Sequence, residues 1–301
     1  MFLRELPAHL PTVLYSFTAF TVLNTIIGPL IWRAMGKERE WKRRGLDVRR
    51  ESNNWSIHLT SMVHALLICP LAFQCLDLPA LDKDRAFGWD ERVAGMAGVA
   101  CGYFLWDSIE TIVRFSDIGF VIHGLACLMI YAMGFRPFLA YYAARFLLWE
   151  LSTPFLNIHW FLDKTNRTGS TLQLINGFFL LSTFFGVRIV YGGLMSYRFF
   201  YTLKDVMDQI PLVFVFVYGV GNVVLNGLNW FWLFKMISAL KKRFTSPPTS
   251  KNKTRREPSK RVRNGNGVVM NGNGHGKANG SANTVVYMSG DGDGSVRNGF
   301  E

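Results

Sequence analysis

The stretch Leu147–Trp160, LLWELSTPFLNIHW, carries a carboxylate, Glu150, inside a long apolar run four residues before a proline. Apolar residues continue on both sides for longer than a soluble core helix needs, which places the acid in a lipid bilayer. An ionisable group at bilayer depth costs roughly 2.5–3.5 kcal/mol, so it is kept where it faces protein or water. Pro154 lacks the N–H that the Glu150 carbonyl would otherwise accept from. The sequence therefore puts an acid and an unpaired carbonyl at one spot and predicts a local helix break there.

The rest of the chain supports the membrane setting. Half of the residues are hydrophobic, 25 are Phe, and the apolar residues clump into blocks of about 20, the length that crosses the hydrocarbon as helix. A soluble α/β protein shares such percentages but not the clumping. The expectation is an all-α membrane protein with seven transmembrane helices, at 11–32, 54–76, 93–113, 118–134, 137–161, 171–195 and 211–238. The fourth is short and the fifth interrupted, so six spans with one re-entrant pair is the alternative.

Charge orients the spans. The connection from Arg33 to Glu51 holds Arg33, Lys37, Arg39, Lys42, Arg43, Arg44, Arg49 and Arg50, whereas only Arg4 precedes the first span. Positive loops face the cytosol, which puts the N-terminus in the lumen and, after seven crossings, the tail in the cytosol. The tail agrees, opening Lys241-Lys242-Arg243 and continuing with Arg255-Arg256 and Lys260-Arg261, and the Asp-rich loop 77–92 falls on the far side. The first span reads as an uncleaved anchor, because its positive charge follows it. On this topology the sequons at Asn54, Asn166, Asn252 and Asn279 are cytosolic and stay unmodified.

Beyond Thr245 a basic run and an Asn/Gly-rich stretch, NGNGVVMNGNGHGKANGSAN, predict a disordered tail over 241–301. Its basic part either serves topology alone or attracts anionic lipid headgroups. The net charge of +12 does not imply nucleic acid, because these charges flank membrane spans and lack a folded aromatic platform. Cys69, Cys75, Cys101 and Cys127 lie in or beside spans without metal-ligand spacing, so buried small hydrophobes are expected and no metal or cofactor is.

Helical spacing picks out the spans that carry chemistry. Tyr103, Asp107, Glu110 and Arg114 fall on one face of the third, where Arg114 can pair with Glu110. Gly98 and Gly102 on the same span form a GxxxG step that lets another helix approach. The fourth span contributes His123, and His159 sits near the end of the fifth. Arg145 and Glu150 are five apart, a poor spacing for an intrahelical pair, so each seeks a partner elsewhere. Candidates are Asp107 for Arg145, and Arg188 or His123 for Glu150. Such pairs can also fix helix register without doing chemistry. Asn222, Asn226 and Asn229 line one face of the seventh span, either to bond neighbouring helices or to line a headgroup site. No HExxH, phosphate-cradling glycine loop or GxSxG elbow appears.

The order GYFLWDSIE (Gly102–Glu110), a histidine-bearing span, then RFLLWELSTPFLNIHW (Arg145–Trp160) resembles the TLC domain family, over about 50–240. It looks closest to the TLC domain-containing proteins whose E-S-T-P-F-x-N-x-R-W-like stretch is matched by Glu150, Ser152, Thr153, Pro154, Phe155, Asn157 and Trp160. The resemblance implies six helices around a lipid-accommodating cavity, in an endomembrane such as the endoplasmic reticulum, with 1–49 as anchor and basic loop. The ceramide synthases of this family join an acyl chain from acyl-CoA to a sphingoid base with adjacent histidines and an H-D-x-x-D cluster. Here His123 is followed by Gly124, and no H-D-x-x-D follows Asn157.

Two readings follow. In one, the protein binds or regulates membrane lipid in its cavity, with a headgroup held by Arg145, Asn157, Trp160, Arg188, Asn222 and Asn226. In the other it is an acyltransferase, using acyl-CoA as substrate, with His123 as base or acyl acceptor, Glu150 or Asp107 orienting it and Asn157 steadying an oxyanion. A transporter with its site at the broken fifth helix is a third. The topology is checked first: a sequon engineered into the 77–92 loop should be glycosylated and one in the tail should not, and the reverse pattern would invert the orientation.

Overall fold

The computed structural model describes residues 3–245, and among these every regular element is helical. Residues up to Phe234 form one compact unit, and the stretch from Lys235 belongs to another. Of the tail expected to be disordered over 241–301, residues 241–245 with Lys241, Lys242 and Arg243 are helical instead, and the rest, with the sequons at Asn252 and Asn279, lies outside the described residues.

Four of the helices begin where the sequence supplies a side-chain acceptor for the orphan N–H groups of a first turn. The helix α1 (Leu6–Ala34) is followed by the short α2 (Lys37–Arg43). Asp47 caps α3 (Val48–Gln74), accepting the Arg50 N–H at 3.0 Å. After the short α4 (Pro79–Lys83), Asp90 caps α5 (Glu91–Val113) and takes the Arg92 guanidinium as well. That guanidinium holds the Asp90 carboxyl below the usual carboxylate range. Asp117 caps α6 (Ile118–Met133). Then come α7 (Ala140–Leu147), a 3-10 segment Leu148–Ser152 and α8 (Thr153–Lys164). Ser170 caps α9 (Thr171–Gln209), and α10 (Leu212–Thr245) ends the described chain.

These elements make seven helical rods. Four, α1, α3, α9 and α10 as far as Lys241, are long and apolar enough to cross a membrane, and α6 is a shorter apolar helix. Their outer faces carry exposed Phe178, Phe216, Leu212 and Phe234, as a surface in contact with lipid does and one in water rarely does. The fifth rod runs the whole length of α3. Arg145 bonds the Leu76 carbonyl at one end, Asn157 reaches Ser61 part-way, and Lys164 meets Glu51 at the other. It therefore runs alongside α3 from end to end rather than turning back part-way. The sixth rod outruns its expected end at 195 and continues to Gln209.

Two rods contain π-helical stretches, Leu23–Ile27 in α1 and Phe185–Tyr191 in α9. Rare single-turn π segments cluster at functional positions, and here each carries a buried polar side chain, Asn24 and Arg188. The 3-10 segment carries Glu150. Its carbonyl is satisfied, contrary to the unpaired group expected beside Pro154: the Thr153 N–H bonds it in the tighter i→i+3 pattern. Proline thus converts one turn from α to 3-10 instead of orphaning a carbonyl.

The glycine step on α5 receives α1. The Ser16 hydroxyl donates to the Val99 carbonyl at 2.7 Å, and a Cβ at Gly102 would lie 2.5 Å from the Val13 backbone oxygen. At Gly98 the nearest atom would be the Thr12 methyl at 3.0 Å, on a side chain that can turn away. Gly102→Ala should therefore lower the melting temperature in detergent clearly more than Gly98→Ala. Equal effects would show that α1 is not seated on this face.

Candidate functional site

Among the described residues, an apolar and a polar cavity meet at His123 and Glu150, which line both. The first is apolar, walled by Phe104, Tyr131, Phe146, Leu147, Trp149 and Phe199 among others, with Trp89, Phe138 and Leu139 lining it away from His123. The second is polar, with about 160 Å³ open to water centres, and extends from His123 and Glu150 toward Arg114 and Ser116. A water needs only about 10–15 Å³ of such space. The polar chamber can therefore hold a small headgroup or several waters.

At the junction, helix irregularity aims the charges inward. The 3-10 turn presents Glu150 and Ser152, and the π turn of α9 presents Arg188. The guanidinium is 3.4 Å from Glu150 Oε1, donates to Ser152 Oγ at 3.0 Å and to Asn229 Oδ1 at 3.1 Å, and lies over the Phe184 ring. The Thr153 hydroxyl donates to Glu150 Oε2 at 2.8 Å. Both charged groups are buried. Of the two partners expected for Glu150, Arg188 is the one found.

Along the polar wall, the Asn157 amide donates to Ser61 Oγ at 3.2 Å, so its oxygen faces His58 Nδ1 at 2.7 Å. That assigns the proton to Nδ1. Trp160 does not line either cavity; it stacks on the His58 ring at 4.0 Å and fixes its plane. Nearer the mouth, Glu110 is held by Arg114, Asn53 and Asn24. Asp107 lines the chamber too, and no cation pairs with it among the described residues. A Cβ at Gly124 would fall 2.8 Å from Asp107 Oδ2, so the carboxylate occupies the space that a larger residue after His123 would need.

His123 touches the Cys127 thiol at 3.8 Å, one turn on, and meets Trp232 edge to face. All four cysteines are buried and free. Asn222 lines the apolar chamber, whereas Asn226 bonds Ser196 and the Asn222 side chain, tying α10 to α9. Arg145 is the clear correction. Its partner is not Asp107 but Asp82 at 3.7 Å, with the Leu76 and Tyr141 carbonyls and the Tyr141 ring. It locks the 76–90 loop onto α7, away from both chambers. His58 and Ser61 were missed by the sequence reading, although their three-residue spacing on one helix face was a usable signal.

The family model for the TLC domain matches residues 54–238. The chain belongs to the TLC domain family. It is 38% identical over 243 residues to an uncharacterised TLC domain-containing protein of Schizosaccharomyces pombe, covering 80% of this chain and 82% of that one. It is 27% identical to topoisomerase I damage affected protein 4 of Saccharomyces cerevisiae, over 81% and 88% of the two chains. TLC domain-containing protein 4 of Xenopus tropicalis is 29% identical over 78% and 92%. No solved structure matches the chain. Within this TLC domain protein, α1 lies ahead of the matched segment yet packs against α5 inside it.

Removing one member of a buried ion pair strands the other charge, at a cost of about 3–5 kcal/mol, whereas replacing both is far milder. Glu150→Leu and Arg188→Met should each destabilise the detergent-solubilised TLC domain by about that amount. The double variant should recover at least half, read as melting temperature in a double-mutant cycle. Additive losses would mean the two side chains do not act as a pair.

Proposed function

We propose that this TLC domain protein binds a membrane lipid in its intramembrane cavities and so acts in membrane lipid homeostasis. The observation that carries the reading is the end-to-end pair of chambers, one apolar and one polar, joined at His123 and Glu150. An amphiphile matches that division, with its tail among Phe104, Phe146 and Trp149 and its polar end facing Asp107, Asn157 and Arg188. Asn222 contributes one polar group beside the tail. Arg145, Trp160 and Asn226 act at one remove, by fixing the 76–90 loop, His58 and the α9–α10 contact. The protein is integral to the membrane; residence in the endoplasmic reticulum or another endomembrane, with the N-terminus lumenal and the tail cytosolic, accords with the charge of its loops.

A second reading is favoured by one observation, that His123 faces both chambers. There it would meet the carbonyl of an acyl chain lying in the apolar one and act as base or acyl acceptor, with acyl-CoA as donor. The incomplete ceramide synthase pattern, His123 followed by Gly124, weighs against it, because Asp107 takes up the space beside Gly124.

Native mass spectrometry after gentle extraction separates these readings. Binding predicts co-purified lipid, with retention falling on the order of tenfold in Asn157→Ala, the effect of losing hydrogen bonds worth about 1.4 kcal/mol. Catalysis predicts release of free CoA from long-chain acyl-CoA, or an acyl adduct on the His123 peptide. Protein that carries no lipid and releases no CoA would defeat both.

A further inference from the structure

The apolar chamber has a measurable depth and bore. Eleven residues separate Val93, at the end away from His123, from Phe104, beside the junction, and eleven separate Gly134 from His123 on the next helix. At roughly 1.5 Å per residue both helices give a depth of about 16 Å. Water centres fit in about 60 Å³ of the chamber. Spread over that depth, this is a mean section of about 4 Å², and adding a radius of about 1.4 Å for the water gives a bore of roughly 2.5 Å radius. That is close to the girth of one extended hydrocarbon chain.

From this geometry we propose that the ligand is a single-chain amphiphile, and that Trp89 and Phe138 close the far end of the chamber and set its chain length. The proposal rests on the lipid-binding reading and deepens it. An all-trans chain of roughly 1.5 Å bonds advances about 1.25 Å per carbon, so about 13 carbons reach from the junction to the floor. A longer chain must displace Trp89 or leave the carbons next to its headgroup outside. The floor is braced, since the Leu139 N–H bonds the Ala86 carbonyl at 2.7 Å and Arg145 anchors the same loop through Asp82 and Leu76. It therefore acts as a stop rather than a yielding wall.

Two substitutions move the stop in opposite directions. Trp89→Ala, in a half-buried side chain of the 76–90 loop, deepens the chamber. Ala97→Leu, one turn above Val93 on α5, shortens it by roughly 6 Å.

The purified full chain is offered an equimolar set of lysophosphatidylcholines of about ten to about eighteen carbons, and the retained species are weighed by native mass spectrometry. Wild type should favour chains near the middle of the set. Trp89→Ala should shift the preference about two to four carbons longer, and Ala97→Leu should cut retention of the wild-type optimum by more than tenfold while favouring the shortest chains. Ala143→Leu, from the facing wall, repeats the filling test if Ala97→Leu fails to fold. Length profiles that coincide in wild type, Trp89→Ala and the filling variant would overturn the ruler while leaving lipid binding intact, and stoichiometric retention of two-chain phospholipid would overturn the single-chain assignment. Absence of lipid of any kind would instead bring down the lipid-binding reading beneath it.

Discussion

The pairing of Arg188 with Glu150 is the interaction on which the interior is organised. Neither charge survives alone at bilayer depth without a large penalty, and an ion pair there repays desolvation only when its remaining hydrogen-bonding positions are filled. Here Ser152, Thr153 and Asn229 fill them. Because these partners come from the 3-10 turn and the start of α8, both in the fifth rod, and from α10, the pair ties two rods to α9 at one level. It also sits beside the junction of the two chambers, so the element that fixes the bundle also fixes where polar lining gives way to apolar.

Irregular helix makes that possible. A regular α-helix spreads its side chains at fixed angles, and a polar residue on the wrong face would meet lipid. Three local changes of helical pitch redirect three polar side chains inward: the π turns at Asn24 and Arg188, and the 3-10 turn at Glu150. Each change keeps the backbone bonded, as a membrane interior requires. The glycines work toward the same end. Gly192 leaves room for the Trp149 indole, and Gly124 leaves room for the Asp107 carboxylate.

How much was legible in the sequence follows from the physics of each feature. The rods could be read because blocks of apolar residues report directly on burial in lipid, and the break at Glu150 because Pro154 removes a donor. Glu150 finding Arg188 could be narrowed to two candidates from poor intrahelical spacing. The partner of Arg145 could not, because Asp82 lies in a polar loop whose path is set by tertiary contacts with Leu76 and Leu139. The chamber wall formed by His58 and Ser61 was hidden for a different reason. In a membrane helix both faces are apolar, so the inward face is marked only by a few polar residues, and these are easily passed over as isolated. The seat for Gly98 and Gly102 was likewise unnamed, since a glycine step says that a helix approaches but not which one.

The surroundings of His123 bear on whether the interior is built for reaction or for retention. A general base needs a second group to fix its tautomer and to stabilise the charge it gains. Glu150 lines the same junction, but its carboxylate is already engaged by Arg188 and Thr153. Asp107 reaches the space beside Gly124 rather than a hydrogen bond to the imidazole, and the polar neighbour of His123 is the thiol of Cys127, a weak donor and a weak acceptor. The apolar chamber offers walls to an acyl chain, while among the described residues no carboxylate bonds the His123 imidazole to serve as a proton relay. That asymmetry makes retention of lipid the reading that uses most of the interior, and it locates the burden of an enzymatic reading in a single question, namely what orients His123.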